Sequence, residues 1–165
     1  MKILVIGDSC KDIFIYGDIV RIAPEAPVPI IKPILRKENP GMASNVVANL
    51  EALGAEVDLI TNKEEISKVR YVDKRYNQMV LRVDKNDKCK RYSGVYEIVD
   101  YDALIISDYN KGFLTEDDIA AFAERAECPV FLDTKKFLGD WCKNIDFIKI
   151  NSSEHEKNFE QLPKY

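Results

Sequence analysis

Pro27, Pro29 and Pro33 punctuate an otherwise apolar run, Ala26-Pro27-Val28-Pro29-Ile30-Ile31-Lys32-Pro33-Ile34. Proline has no amide hydrogen, so such a segment cannot donate to ladders on both sides and is confined to a sheet edge. Val28, Ile30 and Ile34 share one strand face all the same, and an exposed apolar edge invites pairing with another chain. The segment is therefore expected to serve as a flap, over a ligand or against a partner subunit. Before it stands Met1 to Ile6, a compact apolar run that reads as a buried parallel strand ending at Gly7-Asp8, with Asp12 a turn further on. Carboxylates in that position face a ligand rim, although a solvated turn carboxylate has the same signature.

A chain of 165 residues fits one domain and buries about 70% of its unfolded surface, enough for an independent core. Its net charge of -4 argues against nucleic acid or anionic membrane as a partner, and no apolar run reaches membrane-span length. Cys10, Cys89, Cys128 and Cys142 have no CxxC spacing, which points to reduced thiols in a cytoplasm and not to a zinc site. The Met-Lys start runs straight into a strand, with no signal-peptide pattern.

Apolar residues at 43, 46, 47, 50 and 53 predict a helix over Ala43 to Leu53, stopped by Gly54, and Val57 to Ile60 predicts the next buried strand. Met79, Leu81 and Val83 alternate with polar neighbours, so Lys68 to Asp73 and Gln78 to Asp84 form an expected antiparallel hairpin around Arg75-Tyr76-Asn77. The last third alternates: strand Asp102 to Ile106, helix Thr115 to Ala126 with a capping box, strand Val130 to Leu132, strand Phe147 to Ile150. Strands separated by helices imply an α/β fold with a doubly wound, mostly parallel sheet, whose ligands gather beyond the strands' carboxyl ends. Five strands exit into polar residues there, among them Ser107-Asp108-Tyr109-Asn110-Lys111-Gly112 and Asn151-Ser152-Ser153-Glu154.

Gly41 at the mouth of a helix offers backbone N–H groups to polar ligands, and Asn45 is placed to bond a hydroxyl; a cap and a solvated asparagine read the same way. Arg21 and Lys111 are candidates for neutralising a phosphate, or plain solvated cations. Asn151 and Glu154, three apart after a strand, suit either magnesium-bound water or a helix cap. His155, the only histidine, has no nucleophile motif beside it and reads as a surface residue. The seven glycines allow neither GxGxxG nor GxxxxGK[ST], so there is no glycine-rich phosphate cradle.

Several blocks resemble one family in order: GDSCKDIFIYGDIVRIAPEAPVPI, PGMASNVVANLEALGA, RYVDKRYNQMVLRVD, ISDYNKGFLT and INSSE. Together they resemble the ribokinase or PfkB carbohydrate kinases, and most closely the bacterial D-glycero-D-manno-heptose-7-phosphate kinases. The resemblance implies a sugar-binding role for Asp12, Gly41 and Asn45, with the proline strand and the hairpin forming a small β lid over about 13–36 and 67–85. It implies an Asn-x-x-Glu motif at Asn151 and Glu154 associated with magnesium and phosphate. It also implies a homodimer paired through lid strands. Three departures stand out. Met42 occupies the family's second glycine, the linkage from Ile60 to Lys68 is short by a helix-strand unit, and no Gly-Ala-Gly-Asp motif follows INSSE. The expectation is a single reduced ribokinase-like domain over 1–165, truncated relative to the family, that binds a sugar phosphate without autonomous phosphoryl transfer. Magnesium and ATP enter only if a second chain completes the site. The rival readings are such an active split kinase and a non-catalytic dimerisation or regulatory module.

Overall fold

The computed structural model describes residues 1–159. Five strands, β1 (Lys2–Gly7), β4 (Glu56–Thr61), β7 (Ala103–Asp108), β8 (Val130–Thr134) and β9 (Phe147–Lys149), form one sheet in the order β4-β1-β7-β8-β9. Every neighbouring pair in it is parallel. Four more, β2 (Ser9–Ile22), β3 (Pro29–Met42), β5 (Ser67–Asp73) and β6 (Gln78–Lys85), form a second sheet in the order β3-β2-β5-β6. The helices are α1 (Ala43–Ala52), α2 (Glu116–Arg125) and α3 (Ser152–Asn158).

The parallel sheet is doubly wound because its strands are apolar on both faces. Ile3 and Val5 pack with Ala43 under α1, whereas Leu4 and Ile6 pack with Ile119 and Phe122 under α2. The α2 face is covered further by the irregular stretch after β6, which supplies Tyr92 and Ile98. Tyr92 meets the rings of Phe113 and Phe122 at 5.7 Å each. Helix α2 opens with the expected box: the Thr115 hydroxyl accepts from the Asp118 amide at 3.2 Å, and Asp118 accepts from the Thr115 amide at 2.8 Å.

A single residue, Asp8, joins the two sheets. Gly7 ends β1 so close to β7 that a Cβ there would stand 1.9 Å from the Ser107 carbonyl oxygen. The Asp8 carbonyl accepts from the Ala43 amide at 2.9 Å, which pins the start of α1 to the same junction. Asn62 completes the joint: its Oδ1 accepts from the Ser9 amide at 2.7 Å and its Nδ2 donates to the Ser9 carbonyl at 3.2 Å.

The proline strand is the edge its sequence requires, and β5 and β6 pair antiparallel as expected. The difference lies in extent. Asp12 is not a turn beyond β1 but sits inside the 14-residue strand β2, flanked by β3 on one side and β5 on the other. Proline pairing and hairpin thus make one continuous sheet, with Asp12 on its central ladder. Val28 and Ile34 at its edge are 50% and 54% exposed.

Candidate functional site

The cavity between the two sheets, about 330 Å³, is lined by Asp12, Asn39, Gly41, Asn45, Lys68, Arg70 and Tyr109, with Phe14, Pro40 and Met42. Each element delivers its share through register. Lys68 of β5 stands beside Asp12, and Arg70 beside Phe14, in the parallel ladder, so all four side chains share a face. Asn39 of β3 stands opposite Asp12, and Gly41 opposite Cys10. The N-terminus of α1 follows at once and contributes Asn45 from its exposed side.

Asp12 is held at its carboxylate. Arg70 Nη1 donates to Asp12 Oδ1 at 2.5 Å, and the guanidinium lies 5.1 Å from the Phe14 ring centroid. Gly41 is required because its missing side chain is where that carboxylate sits: a Cβ would come within 2.7 Å of Asp12 Oδ2 and 2.6 Å of Cys10 Sγ. Met42 takes φ 58° and ψ -130° although it is not glycine, and its side chain is buried with Cys10 and Ile66. Such backbone angles are disfavoured for a residue with a Cβ.

Opposite this wall stands the carboxyl rim of the parallel sheet. Asp8 is fully buried and its Oδ2 accepts from the Tyr109 amide at 2.7 Å, which positions Tyr109 against the cavity. Burial, then the nearby Asp108, push the Asp8 carboxyl up, while amides of the 109–113 loop pull it partly back. Asp108 is itself buried and accepts Thr134 Oγ1 at 2.6 Å and Lys136 Nζ at 2.7 Å. These two aspartates build the rim from within and are not part of the cavity lining. Burial, followed by Asp8, pushes the Cys89 thiol up to about 12, which favours its protonated form.

Asp12, Gly41 and Asn45, expected from the sequence, are therefore brought together. Arg21 and Lys111 are not part of that lining. Arg21 is exposed, nine positions along β2 from Asp12 and so roughly 30 Å away along the strand. Lys111 Nζ is paired with Asp87 Oδ1 at 2.5 Å. Asn151 and Glu154 take the other alternative left open for them. Asn151 Oδ1 accepts from the Glu154 amide at 2.9 Å, and Glu154 Oε2 accepts from the Asn151 amide at 2.9 Å. Lys135 Nζ occupies Glu154 Oε1, so the pair as placed is a helix cap with an ammonium on it and does not fit direct coordination of a cation. Among the described residues no group of three or more acidic, cysteine or histidine side chains is arranged to hold a metal. His155 is exposed and stacks edgewise on Phe159 at 5.8 Å.

Lys68, Arg70 and Tyr109 were not singled out by the sequence reading. For Lys68 and Arg70 the signal was present in the hairpin's alternation, which puts 68 and 70 on one face, but the parallel register of β5 beside β2 is a long-range pairing. A larger hollow of about 690 Å³ lies at the amino end of β8, among Glu124, Glu127, Lys143 and Asp146, away from this rim. No helix among the described residues is long and apolar enough to cross a membrane.

No protein-family model matches the chain. It is 30% identical over 190 residues to the bifunctional protein HldE of Nitratiruptor sp., covering 94% of this chain and 41% of that protein. It is 34% identical over 187 residues to the bifunctional protein HldE of Koribacter versatilis, covering 88% and 36%. The chain thus spans about two fifths of the length of the curated relatives it matches. Both alignments are longer than the 165 residues themselves, so the relatives carry internal segments that this chain lacks, in keeping with the short linkage after Ile60. Among solved structures, a carbohydrate kinase from Agrobacterium tumefaciens superposes with a TM-score of 0.61 at 16% identity, over 95% of this chain and 62% of that one. Ribokinase from Thermotoga maritima superposes with a TM-score of 0.56 at 15% identity, over 97% and 62%.

Proposed function

We propose that this chain, which has the ribokinase-like fold of the carbohydrate kinases and is related to the HldE proteins along most of its length, binds a sugar phosphate in the cavity between its two sheets. The observation that carries the reading is the convergence of Asp12, Gly41 and Asn45, from β2, β3 and α1, on one cavity at the strands' carboxyl rim. Sugar hydroxyls are donors and acceptors at once. The carboxylate of Asp12, oriented by Arg70, accepts from two of them, and the Asn45 amide, lining the same cavity from α1, offers both functions. The sugar class that the sequence motifs favour is a heptose 7-phosphate.

The same residues bind without turning over ATP. The cavity's one carboxylate is already paired with Arg70, and the chain has no glycine-rich loop to cradle a nucleotide's phosphates. The second sheet acts as the lid, and the exposed apolar residues Val20, Ile22, Val28, Ile34 and Leu35 on its β2–β3 ribbon support a homodimer formed there. A monomer by light scattering at micromolar concentration contradicts the dimer and leaves the sugar site standing.

Isothermal titration with D-glycero-D-manno-heptose 7-phosphate tests the site. Wild type is expected to bind, and Asp12→Asn to bind about tenfold or more weakly, the worth of a hydrogen bond to a charged group. No heat for wild type, or equal affinity for the variant, rejects the reading.

A further inference from the structure

The 109–113 loop after β7 is wound onto one buried carboxylate. Asn110 takes φ 56° and Gly112 φ 102°, and these left-handed positions turn alternate amides of the loop onto Asp8. Asp8 Oδ2 accepts from the Tyr109 amide at 2.7 Å and from the Lys111 amide at 3.4 Å. Its Oδ1 accepts from the Phe113 amide at 3.4 Å and from the Cys89 thiol at 3.7 Å. Among the described residues these are its only donors, and Asp8, although fully buried, makes no ion pair.

The charged and titratable groups around Asp8 are themselves occupied or neutral. Asp108, from β7, is answered by Lys136 and Thr134. Cys89, from the stretch after β6, stays a thiol under burial, Asp8 and the more distant Glu64 of the 62–66 connection. Cys10 follows on β2 as a buried thiol, and the Lys111 ammonium of the loop is turned to Asp87. Helix α1 meets Asp8 through the Ala43 amide on its carbonyl. Burial raises the Asp8 carboxyl above its ordinary 3.8, Asp108 adds to the rise, and the three amides reverse it only in part. With the folded-state value above the unfolded one, Asp8 favours the fold when protonated, below pH 3.8, and costs stability as pH rises through the folded value. Charges kept inside at such a cost gather at functional sites.

Tyr109 shows what this one holds. Its ring lines the cavity between the sheets, with Lys68 of the second sheet 5.5 Å and Lys135 of the rim 5.3 Å from its centroid. The amide behind that ring is the donor nearest Asp8. We propose that the charge on Asp8 locks the 109–113 loop, and that protonating this carboxyl releases Tyr109 from the cavity wall and weakens the hold on the ligand. A neutral carboxyl carries a hydroxyl that must itself donate, and here it faces amides that also donate. Asp8 is thus a positioning residue without contact to the ligand. The proposal rests on the sugar-phosphate reading for its ligand and goes beyond it by giving that site a proton switch.

The lock is read without ligand, from 15N and 13C spectra of the 165-residue chain between about pH 8 and pH 4. The Tyr109, Lys111 and Phe113 amides and the Asp8 carboxyl carbon are expected to move together with one midpoint above 3.8, and those amides to stay still in Asp8→Asn. Wild-type amides that do not follow the Asp8 carbon, a midpoint at or below 3.8, or amides that titrate equally in the variant, as they would under control of Asp108, overturn the lock. The wild-type spectra decide this whether or not the variant folds. The switch is read by titrating heptose 7-phosphate one pH unit above and one below the midpoint. Affinity is expected to fall about fivefold more in wild type than in Asp8→Asn, the ligand's own ionisation being common to both. Equal falls overturn the switch. A wild type silent toward the sugar phosphate rejects the sugar-phosphate reading and the switch with it, while the spectra still decide the lock.

Discussion

Met42 holds φ at 58° with a buried side chain, a backbone conformation that glycine adopts without strain. Strain of this kind costs about 1–3 kcal/mol, and here it is offset by packing against Cys10 and Ile66. A pair of variants separates the two contributions. Met42→Ala loses the packing and keeps the strain, while Met42→Gly loses the packing and releases it. Glycine is therefore expected to be more stable than alanine at this position by about 1 kcal/mol or more, the reverse of the usual order, as read from urea unfolding midpoints. Alanine equal to or above glycine contradicts the strain. At this scale the sequence was informative where a residue's role is local. Gly41 and Asn45 announce themselves at a helix mouth, and Asn151 with Glu154 at a cap. Lys68 and Arg70 carried no such mark, because a cation becomes part of a site only through what stands across from it.

Helix α2 and the irregular stretch before β7 are fastened by one carboxylate. Asp118 closes the capping box and also receives Arg91 in a fork, at 2.8 and 2.9 Å. The Arg91 guanidinium, and then the Thr115 amide and hydroxyl, outweigh burial and hold the Asp118 carboxyl at about 2, below its ordinary 3.8. A folded-state value below the unfolded one stabilises above the unfolded pKa and is lost as pH falls through the folded one. The stabilisation from Asp118 is thus complete above about pH 4 to 5 and drains away toward pH 2. Asp118→Asn is expected to lower the melting temperature at pH 7 and to flatten its fall between pH 4 and 2; an unchanged acid profile contradicts the fork. Thr115→Ala is expected to cost about 1 kcal/mol through the same cap. Elements of this kind were legible because caps, periodicity and proline act over a few residues. The length of β2 was not. Ser9 to Ile22 has no clean alternation, its prolonged strand being set by β3 and β5 on either side, with register shifts that blur the period.

At the scale of the whole molecule, a doubly wound sheet supplies a rim and a second sheet stands over it, with Asp8 alone linking β1 to β2. The short 62–66 connection, clamped through Asn62 to Ser9, holds the second sheet close to the rim. Such a body sets Asp12 on the wall of the cavity between the two sheets, where the proposed sugar phosphate would meet it. The most direct measurement is the thermal shift produced by heptose 7-phosphate in wild type and in Asp12→Asn, run beside an assay of ATP turnover. The account predicts that the sugar phosphate raises the melting temperature of wild type, leaves that of Asp12→Asn unmoved, and stimulates no turnover in either. A wild type indifferent to the sugar phosphate, or a variant stabilised equally, contradicts it.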